Sequence, residues 1–220
     1  MKKIFITSAL IAASAVSAQI DFSSTRFGIT GGYNYSRVRN AHNPSGPRHT
    51  FQTGVLALIP VDNNDQFYLQ PEITYYGAGE TGKDKDAKNR PGYEALYAIN
   101  YISVPVFAKV YFSESESEFF GMIGPRFNFV INEKTEKYPE NKPYYSKDTE
   151  FGDAAKFHLA LAAGLGFSYK RQLEVALHYD FGISNTYPHL KNSPDANVDN
   201  AAKLHKAQHI AGVTLNYIFP

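Results

Sequence analysis

The chain has 220 residues, with 22 Lys and Arg, 21 Asp and Glu, and no cysteine. The lack of cysteine excludes disulfides and Cys-ligated zinc, and a net charge near zero gives no electrostatic basis for binding nucleic acid. This length favours one domain, and the chain is rich in aromatic residues, with 16 Tyr and 16 Phe.

The first 18 residues have the pattern of a signal peptide. Lys2 and Lys3 precede an apolar run over residues 4–16, and Ser17 and Ala18 supply the small residues of a cleavage site. The run is shorter than the roughly 20 residues that a transmembrane helix needs. We expect residues 1–18 to be removed and residues 19–220 to form one domain, in which losing two of the 22 basic residues leaves 20 against 21 acidic ones.

The rest of the sequence alternates between apolar and polar residues with a period of two, which is typical of strands with one apolar face. In residues 157–169, for example, Leu161 and Leu165 lie on the apolar face and His158 and Ala162 on the other. In residues 119–132 the same phase places Arg126, Asn128 and Asn132 on the polar face. Similar alternation predicts strands over residues 26–38, 67–79, 173–182 and 207–219.

Two further strands have a less regular pattern. Residues 51–59 are apolar on both faces, so we assign Leu56 and Leu58 to the inside. Residues 97–112 alternate best with Ser103 and Lys109 pointing inward. The resulting eight strands are long enough to cross a membrane at a tilt, which takes about 9–11 residues each.

The connections between these strands alternate in length. Three are short and polar, at residues 60–66, 113–118 and 170–172; four are longer and contain Pro and Gly, at residues 39–50, 80–96, 133–154 and 183–206. Short turns on one rim and long loops on the other are typical of the bacterial outer membrane, with both termini on the periplasmic side. After residue 18 no segment is apolar enough for a transmembrane helix, and a chain without such helices can span a bilayer only as a closed barrel.

Periodicity alone does not say which face of the barrel points outward. A soluble, lipocalin-like barrel would show the same alternation with its large apolar side chains inside. However, the interior of an eight-stranded barrel is barely wide enough for side chains. The many Leu, Ile, Val, Phe and Tyr residues of the apolar faces would overfill it, whereas the Gly, Ala, Ser, Thr and Asn of the other face fit. The sequence therefore predicts an all-β fold, an eight-stranded antiparallel up-and-down transmembrane β-barrel.

Three segments resemble the PorT-like outer-membrane β-barrel family of the Bacteroidetes type. They are residues 69–76 (LQPEITYY), 100–112 (NYISVPVFAKVYF) and 121–125 (GMIGP). The resemblance implies an eight-stranded barrel in the outer membrane but no activity, because only a few members relate to protein secretion. The chain departs from the family pattern at Ser103, where members often have an acidic residue, and at Pro220, which follows the expected terminal aromatic residue, Phe219.

Six inward-facing residues carry most of the chemistry of the predicted interior: Glu72, Lys109, Arg126, Glu174, His178 and Asp180. They could line a solute pathway or form an acid–base site. Unpaired charges in so narrow a space are costly, so we favour an interior closed by pairs. Glu72 and Lys109 lie on neighbouring strands at similar distances from the periplasmic rim, and we expect them to pair.

The remaining motifs favour structural interpretations. The run from Gly77 to Gly82 matches the dinucleotide-binding glycine pattern, but no helix follows it. His205 and His209 have a spacing that converges only on a helix, yet they fall at a strand entry. The acidic run that contains Glu114, Glu116 and Glu118 reads as a solvated periplasmic turn rather than a calcium site.

The long loop at 133–154 contains aromatic residues among mixed charges: Tyr138, Tyr144, Tyr145 and Phe151. Exposed aromatic side chains can bind a partner protein, but these four can equally fold onto the barrel rim. The sequence leaves both interpretations open.

We assign no catalytic, cofactor-binding or metal-binding residues, and no cofactor. The expected partners are outer-membrane lipid, the barrel-assembly machinery during insertion, and a protein at the extracellular loops. The function we favour is a non-enzymatic outer-membrane protein with a closed polar lumen, whose loops contact other proteins or the cell surroundings in a secretion- or surface-related role. The alternatives are a small passive channel for solutes and, less favoured, a lipid-modifying enzyme.

Overall fold

The computed structural model describes residues 22–62, 64–137, 153–188, 190 and 204–220. Eight antiparallel strands follow one another in chain order, and the last pairs with the first to close a barrel. The strands are β1 (Arg26–Val38), β2 (Gly46–Pro60), β3 (Phe67–Thr81), β4 (Leu96–Tyr111), β5 (Glu118–Glu136), β6 (Phe157–Tyr169), β7 (Leu173–Gly182) and β8 (Gln208–Ile218). The predicted fold class is confirmed. Within the described residues, no helix is long and apolar enough to cross a membrane.

The large apolar side chains lie on the outside of the barrel. In β6, Leu161 and Leu165 are 43% and 66% exposed, whereas Ala162, between them, is fully buried. The outward rows of the other strands show the same pattern of exposed Phe, Tyr, Leu, Ile and Val. Such a surface is stable in hydrocarbon rather than in water, and every strand finds its hydrogen-bonding partners inside the closed sheet. Leu56 and Leu58 lie inside, as predicted.

Several strands extend further on the long-loop side than the sequence pattern indicates. β2 begins at Gly46 rather than residue 51, and β5 continues to Glu136. These extensions pair with their neighbours, for example Leu96 with Glu136. The sequence pattern predicts loops at these positions because strand segments that rise above the bilayer need no apolar face. The connections on this side are therefore 39–45, 82–95, 137–156 and 183–207.

A bulge in β5 reverses the inside–outside phase near its extracellular end. Tyr101 pairs with Val130 and Asn100 pairs with Asn132, so Ile131 is an extra residue in the ladder. Such an insertion shifts every following side chain to the opposite face. Asn132 is consequently exposed, and its predicted inward orientation is wrong.

One arginine joins the short turns of the opposite rim. Arg171 lies 2.6 Å from the Glu118 carboxylate and donates to the Asp65 carbonyl at 2.7 Å, while its own carbonyl accepts from Arg26 at 2.8 Å. Glu118 is only 4% exposed. The acidic run is therefore not entirely a solvated turn as predicted, because its last carboxylate is a buried rim contact.

The topology can be tested by labelling, since the chain has no cysteine. Lys88→Cys lies in a long loop and Ser115→Cys in a short turn, and both positions are exposed. A membrane-impermeant maleimide added to intact cells should label only the variant at 88. Both variants should react after the outer membrane is permeabilised. Labelling of the variant at 115 in intact cells would show that the barrel has the opposite orientation in the membrane.

The lipid-facing surface can be tested at Leu161, which lies near the middle of β6 and points outward. Leu161→Arg should destabilise the barrel by about 2–4 kcal/mol, the cost of a charge near the bilayer midplane. Urea unfolding in lipid vesicles measures this, and Leu161→Ala, which adds no charge, should cost less. An equal loss of unfolding free energy in the two variants would indicate that Leu161 lies outside the hydrocarbon region.

Candidate functional site

The inward-facing side chains form three polar layers along the barrel. The layer nearest the short turns is centred on Lys109. Its Nζ donates to the two carboxylate oxygens of Glu174 at 2.7 and 2.6 Å and to Gln70 Oε1 at 3.0 Å. The side chains of Lys109 and Glu174 are both fully buried. This is an ion pair across the lumen, between β4 and β7.

Further contacts compensate both charges of this pair. The Glu174 carboxylate accepts hydrogen bonds from Tyr111 at 2.6 Å and from Asn216 at 3.4 Å. The Lys109 ammonium lies 4.1 Å from the centre of the Phe120 ring, in a cation–π contact. A buried pair is stable only when its remaining donors and acceptors are also satisfied, and the Lys109–Glu174 pair meets that condition.

The predicted pairing of Glu72 with Lys109 is wrong. The register of β3 and β4 places Lys109 opposite Tyr68, so Gln70 is the nearer inward side chain of β3. Glu72 accepts a hydrogen bond from Gln70 Nε2 at 2.7 Å and makes no ion pair among the described residues. The distances of Glu72 and Lys109 from their strand ends indicate a similar depth on neighbouring strands. They do not reveal Glu174, which reaches Lys109 from the opposite wall of the barrel.

The middle layer is centred on Arg126. Its Nη1 lies 2.5 Å from Asp180 Oδ2, and its Nε donates to Ser103 Oγ at 3.0 Å. Its remaining donors reach Gln52 at 3.3 Å and Thr74 at 3.4 Å. Four strands thus contribute acceptors to one guanidinium. Ser103, where the resemblance anticipates an acidic residue, serves as a neutral acceptor while Asp180 supplies the counter-charge.

His178 completes the middle layer. Its Nδ1 lies 3.1 Å from Asp180 Oδ1. The opposite edge of the ring occupies space left by Gly212, where a Cβ would lie 2.3 Å from His178 Nε2 and 2.7 Å from Asn34 Oδ1. A residue with a side chain at 212 would therefore displace the imidazole, so this glycine allows a histidine in so narrow an interior.

The outer layer is centred on Tyr101. Its hydroxyl lies 2.8 Å from His158 Nδ1 and donates to Gln208 Oε1 at 2.7 Å, and its ring stacks on Tyr76 with centroids 5.0 Å apart. Apolar residues of the long loops pack onto this layer as a cap: Ala41, Ala154, Tyr187 and Leu190. Burial raises the pKa of the Tyr187 hydroxyl well above its ordinary value, so this capping residue is neutral.

A serine, a histidine and a glutamate meet beside the cap. His42 Nδ1 lies 2.5 Å from Glu80 Oε1, and Ser45 Oγ donates to the other oxygen of the same carboxylate. In a hydrolytic triad the imidazole lies between the hydroxyl and the carboxylate. Here the hydroxyl bonds the carboxylate directly, and the imidazole stacks on Tyr97 at 3.5 Å. The cluster therefore lacks the contact that activates a nucleophile.

Little free space remains between the middle and outer layers. The cavity there measures about 10 Å³ and is lined by Tyr76, Asn128, His158, Asp180, Gln208 and Ile210. Holding one water takes roughly 10–15 Å³. Towards the short turns, Phe107, Phe120 and Met122 fill the interior together with Leu56 and Leu58. The polar layers are thus packed side chains rather than the lining of an aqueous pore.

The remaining sequence predictions have different outcomes. Tyr138, Tyr144, Tyr145 and Phe151 lie outside the described residues. His209 points outward and lies 3.1 Å from the Tyr179 hydroxyl. In the described part of the chain, no group of three His, Asp or Glu side chains is placed to hold a metal ion. The sequence analysis does not identify Gln70, Tyr111 and Asn216 as neutral hydrogen-bonding partners of Lys109 and Glu174. The alternation pattern does predict that all three side chains point inward.

The closed sheet, the apolar exterior and the packed polar interior together define an integral β-barrel of the bacterial outer membrane. The sequence profile of the family described as "Outer membrane protein beta-barrel domain" matches residues 17–187. The chain belongs to this family. No curated protein matches it.

Solved structures with a similar barrel include three outer-membrane proteins. Ail of Yersinia pestis is 12% identical, with 88% of this chain and 98% of that chain covered and a TM-score of 0.42. Neisserial surface protein A is 9% identical, with 89% and 97% covered and a TM-score of 0.43. OprG of Pseudomonas aeruginosa is 12% identical, with 89% and 94% covered and a TM-score of 0.41. These values are too low to transfer any property to this chain.

The cross-lumen pair can be tested by a double-mutant cycle. Glu174→Leu leaves the Lys109 ammonium buried without its counter-ion and should cost about 3–5 kcal/mol of unfolding free energy. Adding Lys109→Met removes the stranded charge and should recover part of the loss. Urea unfolding of the four proteins in lipid vesicles gives the coupling energy.

Glu72→Gln is the matched control, because it neutralises a carboxylate in the same layer that has no ion pair and keeps an acceptor for Gln70. Its coupling to Lys109→Met should be small. A larger coupling energy between Glu72 and Lys109 than between Glu174 and Lys109 would contradict the observed pairing. It would support the Glu72–Lys109 pair that the sequence predicts.

Proposed function

We propose that this protein is a non-enzymatic outer-membrane barrel with a closed lumen, which acts through its extracellular loops on other proteins or on the cell surroundings. We include a secretion- or surface-related role in this proposal because a few members of the PorT-like family relate to protein secretion, although the resemblance by itself implies no activity. The observation that carries the proposal is the packing of the Lys109–Glu174 and Arg126–Asp180 pairs across two layers of the interior. In a barrel whose interior is filled in this way, we expect partners to bind the outer surfaces and not the lumen.

The ion pairs argue against the passive-channel alternative. A conducting pore requires charged groups that exchange their contacts with ions and water. Arg126 instead has four side-chain acceptors, and Lys109 bonds two side chains in a fully buried layer. Opening a path would break several charge-assisted bonds at once, each stronger than a neutral hydrogen bond.

The geometry beside the cap argues against the lipid-modifying alternative. Ser45 and His42 both bond Glu80 and not each other, and the side chains of His42 and Glu80 are 6% and 0% exposed. The three residues satisfy one another as a structural cluster. They hold the β1–β2 connection against the end of β3, a role that requires no substrate.

The extended strands support a role for the extracellular side. β2 to β5 have 15 to 19 residues, whereas β6 to β8 have 10 to 13. About 9–11 residues suffice to span the membrane, so one side of the barrel forms a wall above the bilayer. The connection at 82–95 lies at the top of this wall, with exposed charges at Lys85, Asp86, Lys88 and Arg90.

Conductance recordings test the proposal. In planar bilayers the mature protein should give no steady current, because the paired layers leave no water-filled path. A porin inserted under the same conditions is the positive control. A steady, ion-selective current that changes when Lys109 and Glu174 are replaced would support the channel instead, and phospholipid hydrolysis by the same preparation would support the enzyme.

A further inference from the structure

A groove lies on the outer face of the barrel at its extracellular rim, where β1 and β8 meet. Its volume is about 750 Å³. The residues that line it include aromatic and small side chains of the lipid-facing rows, among them Tyr35, Tyr179 and Ala211, and polar side chains just above them, among them Arg37, Arg39 and His209. The β1–β2 connection over residues 39–45 lines the remaining side. The three interior layers do not account for this surface.

The sheet register explains the shape of the lower part of the groove. Ala211 pairs with Tyr35 on one side and with Tyr179 on the other. The two rings are 46% and 49% exposed and stand on strands that flank β8 at about 4.8 Å on each side. A small residue between two large ones forms an apolar trough that fits a hydrocarbon chain.

The next row towards the rim is polar. Arg37 pairs with His209 across β1 and β8, two residues and so about 7 Å further along the strand than Tyr35. Tyrosines are enriched at the level of the lipid head groups. Arg37 therefore lies on the aqueous side of that level, within reach of a head group whose acyl chain occupies the trough.

The two arginines are suited to binding phosphate. Ser45 fixes the Arg37 guanidinium, accepting from Nε at 3.1 Å and from Nη2 at 2.9 Å, which leaves Nη1 without a partner among the described residues. The Arg39 side chain is exposed and makes no hydrogen bond or ion pair within the described part of the chain. A planar guanidinium held in place binds phosphate oxygens with specific geometry.

One acidic residue, Asp84, also lines the groove, and its carboxylate is already engaged by the backbone amide of Asp86 at 3.2 Å. Two guanidinium groups against one carboxylate leave the groove cationic. Its charge and its apolar floor together match an amphiphile with an anionic head group.

We propose that this groove binds a phosphorylated glycolipid of the outer leaflet, with a phosphate on Arg37 and Arg39 and an acyl chain along Ala211 between Tyr35 and Tyr179. The proposal does not depend on whether the lumen conducts or on which partner the loops contact. It requires that the lipid be recognised by phosphate and chain together.

Lipid retention by the mature protein in detergent micelles tests this. The probes are a bis-phosphorylated lipid A and its dephosphorylated form with the same acyl chains, and binding is measured by native mass spectrometry. The folded protein should bind the phosphorylated lipid about tenfold more tightly, a difference of about 1.4 kcal/mol. Arg37→Gln with Arg39→Gln should abolish the preference, whereas Ala211→Leu, which fills the trough and keeps the charges, should weaken the binding of both lipids.

Two variants separate the site from general charge and folding effects. Lys134→Gln removes an exposed cation of β5 outside the groove and should leave the preference unchanged. Arg39→Gln alone removes no described side-chain contact and should weaken the preference without affecting folding. Equal binding of the two lipids by the wild type would overturn the proposal. So would displacement of the lipid by inorganic phosphate alone, which would indicate a free-phosphate site.

Discussion

A charge inside an eight-stranded barrel must find its partner within the diameter of that barrel. Closing the sheet satisfies the backbone in hydrocarbon, and closing it with eight strands leaves an interior that side chains just fill. Lys109 and Arg126 therefore contact acids and neutral acceptors on facing and neighbouring walls, and the glycine at 212 admits a histidine where a larger residue would clash. The other contacts of the three polar layers depend on the same narrow interior.

Under the proposed function, the same constraint leaves interactions with partners to the outside of the molecule. In the described part of the chain the lumen holds packed pairs, and the long loops add an apolar cap with Tyr187 and Leu190. We propose that the wall of β2 to β5 contacts proteins and that the groove at β1 and β8 binds a lipid. The two surfaces are built mainly from different strands and meet at Asp84, which lines the groove and lies in the connection at the top of the wall.

Most of the fold was predictable, because alternation of apolar and polar residues with a period of two indicates a strand with one apolar face. β1, β6 and β7 have the predicted bounds. The errors lie where the bilayer stops imposing that pattern: Gly46 to Thr50 are paired strand residues without an apolar face, and the bulge at Ile131 turns Asn132 outward. Glu118 was assigned to a solvated turn because its partner, Arg171, is 53 residues away.

Below the extracellular strand ends, the sequence by itself determined which residues face lipid and which face inward, and it determined how many strands close the sheet, because each of these follows from local periodicity and loop length. Only the tertiary structure decided which inward charges meet. Lys109 and Glu174 are 65 residues apart and lie on strands that do not pair, so no local pattern connects them. Their contact depends on the curvature and register of the whole barrel, which also brings Ser45, His42 and Glu80 together at the rim and Arg37 beside His209 on the outer face above the lipid-facing rows.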